Sequence, residues 1–149
     1  FVETRKNEGG NLKNDLLVKL EEMLGHVAFI EERSPRIIDE YKQKLKEKVE
    51  EMLQGVQMDE NRLITEVTIF ADKVCVYEEL VRLRSHIEAT RKILTEGGSV
   101  GRKLDFIAKE MNREANTILS KTTDLESSER AIELKTEIEK VREQIQNIE

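Results

Sequence analysis

The chain has 149 residues, 38% apolar and 38% charged, with 4% aromatic residues, no Trp and one Pro. That length is one domain's worth with enough apolar content for a core, and a composition dominated by long charged side chains excludes most β architectures in favour of long helices. A formal net charge of −6 excludes a protein that coats nucleic acid by bulk electrostatics, so RNA or DNA binding requires a local patch.

Cys75 stands alone, which rules out an intrachain disulfide framework; no His or Cys spacing fits a zinc motif, and a reducing cytoplasm is expected. Without an activating motif, Cys75 reads as a small apolar residue. No apolar run approaches the ~20 residues that span a bilayer, and no signal-peptide pattern opens the chain. The opening FVETRKNEGG lacks Met and reads as the interior of a longer protein.

From Leu12, apolar residues recur every three or four positions through Leu16, Leu20, Met23, Val27, Ile30, Ile38, Tyr41, Leu45, Val49 and Met52. Ser34-Pro35 should interrupt a helix, because Pro35 donates no N–H and crowds the preceding turn, yet the stripe keeps its phase across it. The expectation is one helix over about 11–54, kinked at Pro35, with a break at Arg33 as the alternative. At ~1.5 Å per residue it would be roughly 65 Å long, too long for a bundle of this size to cover, so it should project or meet another chain.

Gly55 should end that helix, and Asp59 or Glu60 should start a second one running to about Lys73. The β-branched cluster Val74-Cys75-Val76 interrupts. A third helix is expected over about 77–96, with Leu80, Leu83, Ile87 and Leu94 inward, stopped by Gly97-Gly98. Ser99 is the expected N-cap of a fourth helix, which buries Leu104, Ile107, Met111, Ala115, Ile118 and Leu119. A fifth runs from about Ser127 to the end, with Leu134, Ile138, Val141, Ile145 and Ile148 in a coiled-coil-like rhythm. The fold class is therefore all-α: an elongated helical bundle with a helical core over about 59–149.

The fourth helix, GRKLDFIAKEMNREANTILSK, is crowded with polar groups. By helical-wheel arithmetic Asp105, Lys109, Asn112 and Asn116 form a band opposite the apolar face, with Arg102 and Arg113 beside it, and Lys103, Glu110, Glu114, Thr117 and Lys121 on the other flank. A solvated face explains Lys and Glu, but two interior asparagines are poor helix formers. Glu110 and Glu114 at i,i+4 repel by a few tenths of a kcal/mol. Carboxylates so paired can ligate a hard cation such as Mg²⁺ or Mn²⁺, which makes Glu110 and Glu114 candidate metal ligands.

In EELVRLRSH, at 78–86, Glu79, Arg82 and His86 share a face, with Arg84 to one side. His86 is suited to proton transfer near neutral pH and Arg82 to holding phosphate, although an ordinary ion pair beside a surface histidine explains the pattern equally well. Between Arg82 and Lys103 the cations Arg82, Arg84, Arg91, Lys92, Arg102 and Lys103 outnumber Glu88 and Glu96, giving a basic strip inside an acidic protein. Aromatic residues that would stack bases are scarce there, so phosphate and shape contacts are the expected mode. In the last helix Glu139 and Arg142, three apart, read as a supporting ion pair.

The segments EELVRLRSH, GRKLDFIAKEMNREANTILSK and ELKTEIEKVREQIQNIE together resemble the C-terminal region of the bacterial YicC/YloC family of endoribonucleases. The resemblance covers essentially the whole chain, with residues 1–60 similar only in helical character. VCVYEEL at 74–80 departs from it, a more polar approach being expected there. The resemblance implies a manganese-stimulated, divalent-metal-dependent endoribonuclease, cytoplasmic, assembled as a homo-oligomer, expected as a hexamer, and working beside other RNA-decay enzymes. It further implies an additional N-terminal domain of comparable size.

On this reading His86 and Glu79 are the catalytic candidates. Arg82, Arg84, Arg102, Lys103, Lys109, Asn112, Arg113, Asn116 and Lys121 would contact RNA, and Glu110, Glu114 and Asp105 would hold Mn²⁺ or Mg²⁺. The competing readings are a non-catalytic RNA-binding adaptor that assists another ribonuclease and a purely structural bundle.

Overall fold

The computed structural model describes the backbone of residues 2–97 and 101–148 and the side chains of residues 12–97 and 101–147. It contains α1 (Val2–Met52), α2 (Glu60–Val74), α3 (Tyr77–Glu96), α4 (Gly101–Lys121) and α5 (Leu125–Ile148), and no strand among the described residues. The all-α expectation holds. Ser99 as N-cap and the seam position of Ile148 lie outside the described residues and side chains.

The Leu16–Ile30 stretch of α1 closes with α3, α4 and α5 into a four-helix core. Leu16, Leu20, Met23, Val27 and Ile30 of α1 meet Leu83 and Ile87 of α3, Leu104, Met111 and Ile118 of α4, and Leu134, Ile138 and Ile145 of α5, all essentially inaccessible to water. Polar contacts fix the order and direction of the helices. Arg33 pairs with Asp124 and His26 with Glu133, so α5 runs antiparallel to α1. Asp105 pairs with Arg142, and Glu79 with Lys121, so α4 opposes both α5 and α3. Glu31 pairs with Arg84 and Glu21 with Arg91, which sets α3 against α1 and closes the ring.

α1 continues through Pro35 as a single helix. The carbonyl that Pro35 leaves without a donor belongs to Glu31, and both residues are exposed, so water can satisfy it. Ser34 Oγ donates to the Ile30 carbonyl at 2.8 Å just before it. Beyond this point α1 leaves the core and carries only α2, which folds back along it with Phe70 stacked on Tyr41 at a ring separation of 3.9 Å. In this arm Ile38, Tyr41, Leu45 and Val49 are only half-buried, because two helices cannot enclose a stripe that four can. The projecting helix expected from its length is thus present, with α2 as its companion.

The helix ends follow local chemistry. α1 stops at Met52, two residues short of the expected end, where Gln54 and Gly55 take positive φ (55° and 94°) and Gly55 N–H returns to the Glu50 carbonyl at 2.8 Å. α3 ends at Gly97, whose φ of 76° suits a residue without Cβ. Asp124 caps α5 by accepting from both the backbone N–H and the hydroxyl of Ser127, at 3.1 and 3.0 Å. That cap starts α5 two residues before the expected Ser127. Between α2 and α3 it is Val76 that enters the core, while Cys75 is exposed. No helix is long and apolar enough to cross a membrane among the described residues.

Candidate nucleic-acid interface on α3 and α4

α4 lies between α3 and α5, so its two flanks are seams and its outer ridge faces solvent. The exposed positions are Arg102, Lys103, Phe106, Lys109, Arg113, Asn116 and Ser120. Six of them, from Arg102 in steps of four, three, four, three and four, form one stripe along the helix. All the exposed charges on α4 are positive, because Asp105 and Glu110 are half-buried and Glu114 is buried. The stripe is rotated roughly 50° from the polar band read off the sequence, at ~100° per residue. Asp105 and Asn112 therefore turn toward α5 instead of outward, and Asn112 Oδ1 is buried without a partner.

The seam between α3 and α4 holds two carboxylates that are almost inaccessible. Glu114, with 4% of its side chain exposed, accepts from Arg82 Nε at 2.9 Å. Glu79, 8% exposed, accepts from Lys121 Nζ at 2.9 Å and lies 3.9 Å from Arg82 Nη2. Burial pushes the Glu79 carboxyl upward, but the hydrogen bonds from Lys121 and from its own backbone N–H outweigh it and hold the group below the usual carboxylate range. Glu79 is therefore ionised and committed at neutral pH, a poor proton donor. One turn along α3 from Arg82 comes His86, and one turn back along α4 from Glu114 comes Glu110, so the antiparallel register brings these two toward the same level of the seam. His86 is half-buried there, its carbonyl accepting from Thr90 Oγ1 at 2.8 Å.

The expected metal ligands are not gathered. Asp105 turns to Arg142 Nε (3.1 Å) and Lys109 (3.3 Å) on the α5 side, and these bonds depress its carboxyl pKa. Glu110 lies 3.7 Å from Arg113, and Glu114 is taken by Arg82. Among the described residues no group of three His, Cys, Asp or Glu side chains is arranged to hold a cation. The donor set proposed from spacing thus does not fit a metal within one chain, because i,i+4 spacing does not reveal which neighbouring cations will claim the carboxylates.

The basic strip is also divided. Arg84 grips Glu31 at 3.0 Å and Arg91 pairs with Glu21, both on the α1 side, whereas Arg102 and Lys103 stand on the outer ridge of α4. Residues 84 and 91 are seven apart and share the flank that packs toward α1, so they stabilise the bundle instead of extending the ridge. Arg142, expected to pair with Glu139, crosses to Asp105 instead.

Two features escaped the sequence reading. Phe106 is 63% exposed in the middle of the cationic stripe. A cleft of about 620 Å³ between α1 and α5 is lined by His26, Arg130, Glu133 and Lys140, with Arg130 also stacked over Phe29 at 4.3 Å. The first was legible from a helical wheel that tracked aromatic as well as polar residues. The second depends on which helices become neighbours.

The exposed cations, the paired carboxylates and the half-buried histidine lie on helices whose sequence carries a recognisable pattern. A family model described as endoribonuclease YicC-like, C-terminal, matches residues 30–149. The chain belongs to this family. It is 43% identical to the probable endoribonuclease YicC of Clostridioides difficile strain 630 over 148 residues, covering 99% of this chain and 50% of that protein. It is 36% identical to the probable endoribonuclease YicC of Haemophilus influenzae over 149 residues, covering 100% of this chain and 51% of that protein. The chain spans about half the length of these YicC-like relatives.

Proposed function

We propose that this chain is the C-terminal helical part of an enzyme that cuts RNA internally, and that its contribution is to hold the RNA backbone along α4. The observation that carries this reading is the outer face of that helix. In a chain of net charge −6 it presents four exposed cations and no exposed acid. Local positive charge of this kind releases counterions from a phosphate backbone without needing a basic protein. His86 is the proton-carrying candidate, since Glu79 is held ionised by its partners.

The full reading extends to a cytoplasmic homo-oligomer, a hexamer, with the α1/α2 arm as a contact. Met52, Leu53, Val56, Ile64 and Ile69 remain exposed on that arm. Dependence on Mn²⁺ or Mg²⁺ belongs to this reading for the whole enzyme, with ligands drawn from beyond a single copy of this chain. A second reading, an RNA-binding adaptor for another ribonuclease, draws on the same ridge and on the ion-paired state of every candidate metal carboxylate.

The two readings separate on purified protein of the relatives' full length. Replacing Arg102, Lys109 and Arg113 together by Gln should weaken RNA binding at all sequences and make the slope of log affinity against log salt shallower by about 2, at ~0.7 per phosphate contact on single strands. His86→Ala should leave that binding intact and lower cleavage at least ~100-fold. Unchanged affinity and slope in the triple variant would remove α4 from the RNA path. Binding without any cleavage by the unmodified protein would favour the adaptor.

A further inference from the structure

We infer that Phe106 is a stacking platform for an unpaired RNA base, so that the α4 ridge selects single-stranded over duplex RNA; this rests on the reading of α4 as an RNA-contacting face. Phe106 contributes nothing to the core, which α4 builds from Leu104, Ala108, Met111, Ala115 and Ile118, yet it keeps 63% of its surface in water. Arg102 lies one turn before it, Lys109 one turn after and Arg113 two turns after, all exposed on the same stripe. Half-exposed Arg82 and Arg142, positioned by Glu114 and Asp105, flank the ridge from α3 and α5.

An apolar protein surface laid over Phe106 would have to desolvate these cations without supplying counter-charge, at a cost that a single aromatic contact does not offset. A nucleotide answers both demands, because every base has an aromatic face and every residue of the strand carries a phosphate. Within a duplex each base face is already covered by its neighbours, so only an unpaired base can use the ring. From Arg102 to Arg113 the stripe covers ~16 Å of helix, room for a short run of nucleotides. Asn116, the next exposed position, offers an amide beside the expected strand.

The chain contains no Trp, so Phe106→Trp introduces a single fluorescent reporter at this point. With the 149-residue protein, adding a 12-nucleotide oligoadenylate should quench its emission, and a duplex of equal length should do so far less. Phe106→Leu should weaken binding of the unpaired oligonucleotide roughly 5- to 100-fold, the loss of one stacked base, while leaving the salt slope unchanged because no charge is altered. Wild-type affinity in Phe106→Leu, or equal quenching by duplex, overturns the stacking role. If the variant with Arg102, Lys109 and Arg113 replaced by Gln still loses RNA in that case, the phosphate-holding reading of α4 survives alone; if it also binds normally, both fall. Loss of self-association instead of RNA binding in Phe106→Leu would make the ring a protein contact and likewise overturn the proposal.

Discussion

Arg82 and Glu114 join α3 to α4 by a 2.9 Å hydrogen bond from Nε to Oε1, with the carboxylate almost fully buried and the guanidinium half in solvent. The pair is asymmetric. Removing the arginine strands a charge that has no access to water, whereas removing the carboxylate frees a cation that can still be hydrated.

Arg82→Met should accordingly lower the melting temperature more than Glu114→Gln does, and adding Glu114→Gln to Arg82→Met should recover most of the loss. Melting curves of the two single variants and the double variant decide this. Simple additivity would mean the two side chains do not depend on one another. It also follows that reduced RNA binding by Arg82→Met needs a folding control before it is assigned to phosphate contact.

Asp124 ties α1 to the start of α5 by accepting from Arg33 while capping α5. The Arg33 hydrogen bond, reinforced by the Ser127 backbone and hydroxyl against the effect of burial, holds its carboxyl below the ordinary aspartate range. A depressed folded pKa stabilises the fold above the unfolded value of about 3.9 and loses that contribution as pH falls through the folded one. Asp124→Ala should be less stable than wild type by about 1–2 kcal/mol at pH 7. The gap should close on acidification below about pH 4. Urea denaturation at pH 7 and pH 3 provides the comparison; an undiminished gap in acid would show that the charge plays no part.

α2 buries one side chain, Leu63, whereas α4 buries six. Local stability follows the apolar surface enclosed, so α2 should open without the core. Amide exchange over residues 64–74 should exceed that over residues 107–118 by on the order of 100-fold, and Phe70→Ala, which removes the stack on Tyr41, should accelerate α2 alone. Equal protection in the two helices of a monomer would contradict this.

Cys75 is exposed at the C-cap of α2. A disulfide reagent should titrate one thiol in the native protein at a rate within about tenfold of that in urea, and Cys75→Ser should shift stability by less than about 0.5 kcal/mol. Protection of the thiol in the native chain would mean that the linker after α2 is covered.

Much of the fold could be read from periodicity because a helical stripe is a local property. Tyr77–Glu96 matches the expected third helix at both ends, and the unbroken phase across Pro35 correctly implied one helix. Glu79, Arg82, Glu114 and Lys121 were all singled out from residue type and spacing. Their pairing could not be, since it depends on the antiparallel register of two separate helices, α3 and α4, set by long-range packing. The same register sends Arg84 and Arg91 to α1 and Arg142 to Asp105, dividing a strip that looks continuous along the chain.

By itself, the order of residues determined an all-helical chain, most of its helix ends to within two residues though not the start of α1, and the presence of a basic segment in an acidic protein, because these follow from propensity, capping and repeat period over a few turns. Only the tertiary structure decided which carboxylates are neutralised and which cations stay exposed, and that Phe106 emerges among them. Those outcomes depend on which flank of each helix faces a neighbour, and Coulomb and desolvation energies vary steeply over the few ångströms that separate a seam from an outer ridge.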